Sequence, residues 1–246
     1  MTVSIKNLTK AYGNFKAVDD ITLTINDSEI FAFLGVNGAG KTTTLRMLAG
    51  VLVPTYGTIN IHGYDLLKDP LSAKQITGYI PDRPYLYSKL TAKEFLLFVS
   101  DIYNLGRNVA LPRIDSLLEQ FSLTKWQHEL IEGFSHGMKQ RLATCASLVH
   151  NPKFLIVDEP MVGLDPHGAK LLKNSFKTLA KEHGTTIFLS THSLNVAQEL
   201  SDRLAIIHNG RIIALGSLKE IQELTKLNDH NLENIFLEIT SSGDDE

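Results

Sequence analysis

A chain of 246 residues, 43% of them hydrophobic, is long enough to bury a large core, as one domain or as a core carrying an inserted subdomain. Its formal net charge of −3 gives no electrostatic footprint for nucleic acid, and no dense Lys/Arg run marks a membrane-surface patch. The single Cys145 excludes an intrachain disulfide, "MTVSIKNLTK" lacks the apolar stretch of a signal peptide, and no segment approaches the roughly 18 apolar residues of a membrane span, so a soluble cytoplasmic chain is expected.

In chain order, strands are predicted at residues 3–8 and 21–25, the second reading "ITLTI" with the period of two that half-buried antiparallel strands show. A continuous apolar run at 30–34 then marks a buried strand, and it leads directly into "GVNGAGKT" at 35–42. That stretch fits G-x-x-x-x-G-K-[ST], with Gly35, Gly40, Lys41 and Thr42 in the fixed places. Glycines allow the tight curve that turns backbone N–H groups toward phosphate oxygens, so Gly35, Asn37, Gly38, Ala39, Gly40 and Thr43 are expected to cradle a nucleotide. Lys41 then reaches the β- and γ-phosphates, and the Thr42 hydroxyl ligates Mg²⁺. Leu45 and Leu48 recur at helical spacing in 43–49, so a helix N-terminus points its positive dipole end at the loop.

Further strands are predicted at 58–62 and 77–80, after which the strand pattern stops. Helical patterns follow at 92–103, 113–121 and 137–150, an inserted helical subdomain in an α/β core. Strands resume at 154–157, 186–190, 204–208 and 212–215, and the terminal "SSGDDE" reads as acidic and disordered. "FLIVDEP" is a buried strand ending in Asp158 and Glu159, at the sheet edge where open α/β folds bind ligands. Asp158 can hold Mg²⁺ through water, and Glu159 can polarise a water for attack on the γ-phosphate. Guanine recognition is unsupported, because the chain has no Asn-Lys pair, and "HELIE" lacks the second His of a zinc site.

The run "EGFSHGMKQRLATCASLVHNPKFLIVDEP" resembles the ATP-binding subunits of ABC transporters, and the likeness extends over nearly the whole chain in the family's order. It implies an α/β P-loop NTPase (RecA-like) core with an N-terminal antiparallel β subdomain and an inserted α-helical subdomain. The expected divisions are 1–84, 85–150, 151–225 and a C-terminal helix with an acidic tail at 226–246. ATP and Mg²⁺ are the implied ligands. Tyr12 stands at the family's adenine-stacking aromatic, Ser135 and Gly137 in its signature, Asp165 of "GLDP" in its D-loop, and His192 at its γ-phosphate-sensing histidine. The implied assembly is a two-fold dimer with a second copy or a homologous subunit, in which Ser135 and the helix near Gly137 close on ATP held by the other subunit. Separate transmembrane permease subunits would place the chain on the inner face of the cell membrane.

Two departures stand out. The signature reads Phe134-Ser135-His136-Gly137-Met138, with His136 and Met138 where the family usually has Gly and Gln, and Asp82 stands where most members carry a glutamine. Asp82 can still approach Mg²⁺ or the attacking water but cannot donate as an amide does. Both variations, and the terminal "NLENIFLEIT", resemble the branch serving ABC-2-type membrane partners, mostly exporters. The alternative is a non-transport ABC ATPase of translation or DNA maintenance. Against it stand a single cassette and a span from Lys41 to Ser135 too short for a long coiled coil. Cys145 and the stripe Phe95, Leu96, Val99 and Ile102 read as subdomain core, whereas Tyr85, Leu86 and Tyr87 in the 82–89 loop are the expected docking residues for a membrane partner.

Overall fold

The computed structural model describes residues 2–224. Two strands open the chain, β1 (Val3–Tyr12) and β2 (Phe15–Ile25), an antiparallel hairpin that pairs Tyr12 with Phe15. With β4 (Tyr56–Ile61) and the short β5 (Tyr64–Asp65) they form an antiparallel sheet in the order β2-β1-β4-β5. The second sheet takes β3 (Ile30–Leu34), β6 (Thr77–Ile80), β7 (Phe154–Asp158), β8 (Thr186–Thr191), β9 (Arg203–His208) and β10 (Arg211–Gly216) in the order β10-β9-β3-β8-β7-β6. Its pairs are parallel except the edge pair β9–β10.

Alternation along the parallel strands divides the core in two. Ile30, Ala32 and Leu34 of β3, Leu155 and Val157 of β7, and Ile187 and Leu189 of β8 face one cluster, which also holds the buried residues of the helical segment. Phe31, Phe33, Phe154, Ile156 and Phe188 face the other, between this sheet and the antiparallel one. Phe31 and Phe188 stack at 5.7 Å between ring centroids. A sheet covered on both faces explains why these strands are continuous apolar runs, while β1 and β2 alternate.

Helices α1 (Lys41–Leu48) and α2 (Pro70–Gln75) precede β6, and α3 (Ala92–Ile102), α4 (Arg107–Gln120) and α5 (His136–Leu148) fill the strand-free stretch before β7. Then come α6 (Pro166–Lys181), α7 (Leu194–Leu200) and α8 (Leu218–Leu224). Thr91 and Glu94 close a capping box at the start of α3. Helix α4 begins well before the predicted residue 113, because Pro112 removes a single amide and the Gly106 carbonyl already accepts the Val109 and Ala110 amides. Helix α2 is marked by Asp69, which caps Ser72, and by Pro70 at its first position.

The predicted stripe on α3 is core only in part: Phe95 and Leu96 are buried and Val99 half-buried, but Ile102 is 61% exposed because it shares the outer side of the helix with Phe98, while Leu96, Ser100 and Tyr103 turn inward. Cys145 is fully buried. The expected C-terminal helix and acidic tail at 226–246 lie outside the described residues.

Candidate functional site

The site begins where β3 hands over to α1. A Cβ at Gly35 would stand 2.6 Å from the Ile207 carbonyl oxygen, and one at Gly40, which has φ +109, would stand 2.5 Å from that of Ala17. Only glycine fits at either place. Gly40 caps α1 without a side-chain hydrogen bond, so the first-turn amides have no side-chain acceptor and can serve an anion. Lys41 folds back over the loop, its Nζ donating to the carbonyls of Gly35 at 2.7 Å and Val36 at 3.1 Å. Burial lowers the Lys41 pKa, and the opposing charges of Glu159 and Asp158 partly offset that effect.

The carboxylates come from the adjacent parallel strands. Asp158 ends β7, is buried, and accepts a hydrogen bond from Ser190 Oγ on β8, its partner in the strand register. Glu159 turns sharply away with φ +46, and its amide donates to the Ser190 carbonyl at 3.2 Å. A non-glycine residue in the left-handed region is strained, and this one aims its side chain back at the loop. Glu159 Oε1 lies 3.9 Å from Lys41 Nζ and 2.9 Å from His192 Nδ1. His192 follows β8 directly and is half exposed.

These groups surround a cleft of about 390 Å³. Asn37, Gly38, Gly40, Lys41, Thr42 and Thr43 line it from the loop and α1, and Asp82, Asp158 and Glu159 line it from the ends of the strands. Gly35 and Ala39 stand behind the loop, where Ala39 O accepts the Gly210 amide. Tyr12 reaches the cleft mouth from the β1–β2 hairpin. So does Phe15, a residue that sequence reasoning missed. Tyr12 is 53% and Phe15 66% exposed, two aromatic faces presented to solvent beside a polar cleft. The short spacing "YGNF" with a glycine turn was the signal that could have found it.

His192 stands behind Glu159 and does not line the cleft itself, and three further predicted residues lie away from it. Ser135 caps α5 by accepting the Met138 amide at 3.3 Å, Gly137 follows within that first turn, and Asp165 caps α6 by accepting the Gly168 amide at 2.6 Å. Among the described residues, no three His, Cys, Asp or Glu side chains cluster as a metal site. A cation in the cleft would therefore depend on the Thr42 hydroxyl and phosphate oxygens as well as carboxylate.

The family model described as ABC transporter matches residues 18–162. The bacitracin transport ATP-binding protein BcrA of Bacillus licheniformis is 41% identical over 211 residues, which is 86% of this chain and 68% of that protein. Of the solved structures, an ATP-binding subunit of an ABC transporter superposes with a TM-score of 0.92 at 33% identity, covering 98% of this chain and 100% of that one. A dimeric ATP-binding cassette in a post-hydrolysis state, bound to ADP and Pi, superposes at 0.80 with 25% identity, covering 87% and 98%.

Proposed function

The chain belongs to the ABC transporter family, and from that premise we propose that it is the ATP-hydrolysing motor of a transporter whose membrane-spanning part is a separate protein. The observation that carries the reading is the meeting of the 35–42 loop, with its Lys41, and Glu159 at one cleft, with His192 held against Glu159. Lys41, released from the Gly35 and Val36 carbonyls, holds the β- and γ-phosphates. Glu159 takes a proton from water as the water oxygen bonds to the γ-phosphorus. The bond from that phosphorus to the β–γ bridging oxygen then breaks, leaving ADP and phosphate. His192 orients Glu159 and reaches toward the γ-phosphate. Mg²⁺ held by Thr42 and Asp158, with Asp82 at hand, would neutralise the phosphate oxygens. Tyr12 and Phe15 offer their faces to the adenine.

Ser135, Gly137 and Asp165 lie outside their own cleft, and we assign Ser135 and Gly137 to the ATP held by a second copy or a homologous subunit, with Asp165 at the acidic position of the D-loop. ATP then acts as the glue of a two-fold dimer, and its hydrolysis lets the dimer open. We assign the helical subdomain to 85–150, between core segments 1–84 and 151–225.

No helix among the described residues is long and apolar enough to cross a membrane, so coupling to transport needs a partner. Beside the cleft, Tyr85 is 93% exposed, and a largely apolar groove of about 440 Å³ runs between Tyr87, Leu90 and Phe98. Leu86, expected among the docking residues, instead packs against the core. We place the permease contact there, with the chain peripheral on the inner face of the membrane. The Asp82 and signature variations, which resemble those of the exporter branch, favour export.

The test is Glu159→Gln. Losing a general base costs about 10²–10⁴-fold in turnover while leaving the Lys41 contacts in place. Gel filtration with ATP and Mg²⁺ should show a species of doubled mass. Hydrolysis at the wild-type rate would remove Glu159 from the role.

A further inference from the structure

The start of α5 and the turn after β7 are interlocked. Gly163 holds φ +74, and a Cβ on it would stand 2.5 Å from His136 Cδ2 and 2.9 Å from Nε2. The imidazole of His136 thus occupies the space that a side chain at 163 would take. The fit is reciprocal one residue further along each segment, since Leu164 Cδ2 lies 3.5 Å from the place of a Cβ on Gly137. Each loop covers the other's glycine. Each is also fastened to its own helix, by the Ser135 cap on α5 and the Asp165 cap on α6.

The 161–165 turn hangs from Glu159. The Val162 amide donates to the Glu159 carbonyl at 3.3 Å, and the Leu164 amide to that of Met161 at 3.4 Å. Glu159 itself sits at a strained φ of +46 and touches both Lys41 and His192. A shift of the turn is therefore transmitted to Glu159, because the hydrogen-bonded segment between them is short and Glu159 is already strained. A glycine at position 136 would leave the space over Gly163 empty and the turn free to move.

We propose that His136 is a positioning residue that ties the 135–137 loop to the turn carrying Glu159. The segment facing a second copy's nucleotide and the segment serving the chain's own nucleotide then move as one body. This deepens the two-site reading above and rests on it. His136 touches no substrate in this scheme; it acts by filling space against Gly163.

The experiment is a double-mutant cycle in the full-length chain, with ATP hydrolysis and binding of a fluorescent ATP analogue as readouts. His136→Gly should lower kcat and bring the Hill coefficient for ATP toward one, with analogue affinity of the undimerised chain changed less than about twofold. His136→Phe, which keeps a ring over Gly163, should recover at least half of the lost kcat. Gly163→Ala should lower kcat about tenfold or more beside His136, but less than about threefold in the His136→Gly background, where only the backbone cost remains. Equal losses in both backgrounds, or no recovery with His136→Phe, would overturn the proposal. A wild-type chain that hydrolyses ATP without cooperativity would tell against the two-site reading instead. The coupling between positions 136 and 163 in kcat would then decide for or against His136.

Discussion

His150 should make this fold measurably weaker in mild acid. Its ring lies flat on Tyr103, with centroids 3.7 Å apart and planes 6° apart, and its Nε2 donates to the Thr77 carbonyl at 3.1 Å. Because a carbonyl can only accept, that bond sets the tautomer and leaves Nδ1 bare, buried and without a hydrogen-bond partner. Protonation would place a charged N–H at that atom. Burial therefore pushes the His150 pKa down to about 4, with the Arg113 charge adding to the effect and the Thr77 bond opposing it. In the unfolded chain the group titrates near its ordinary value of 6.5. Between these limits the unfolded state binds the proton and the folded state does not, so stability is fully present above pH 6.5 and declines as pH falls toward 4. From pH 7.5 to 5 the loss from this one group is about 2 kcal/mol, of a total near 3 kcal/mol. Urea unfolding at both pH values, for wild type and His150→Gln, isolates the term, since all other titrating groups are shared. The variant should lose about 2 kcal/mol less than wild type on acidification. Parallel behaviour of the two proteins would refute the assignment, whatever their absolute stabilities.

Phe15→Ala should weaken ATP binding about tenfold, the worth of one lost aromatic contact to a base, and Tyr12→Ala should do the same; a fluorescence titration that leaves affinity unchanged for Phe15→Ala would return that ring to the surface. Asp82→Ala should change the Mg²⁺ dependence of turnover more than the basal rate at saturating Mg²⁺, because a carboxylate beside phosphates is repelled unless a cation lies between; complete loss of basal turnover in a folded variant would make Asp82 essential instead. Replacing Tyr85 and Tyr87 together by Ser should release the chain from membranes, as buried tyrosines carry roughly 2 kcal/mol or more of interface energy, while soluble ATPase activity persists; membrane association that survives the change would place the contact elsewhere.

The phosphate cradle was legible in sequence because its parts are contiguous. Gly35, Gly40, Lys41 and Thr42 act within one turn of chain, and the apolar strand before them and the helix after them are local patterns. The strands β3, β7 and β8 were equally plain, since burial on both faces leaves an unbroken apolar run. Roles at Tyr12, Ser135, Asp165 and His192 came from family likeness and not from spacing. Strand order was beyond sequence, and it is what sets β8 beside β7 and so brings His192 within 2.9 Å of Glu159. Phe15 became a cleft residue only through hairpin register, and Ile102 left the core only because the packing of α3 turns its Phe98 side outward. His136 read as a lost glycine in the signature; the packing of α5 against the turn after β7 gave it Gly163 to cover. Contacts between residues far apart in the chain depend on how whole elements stack, and no local pattern carries that information.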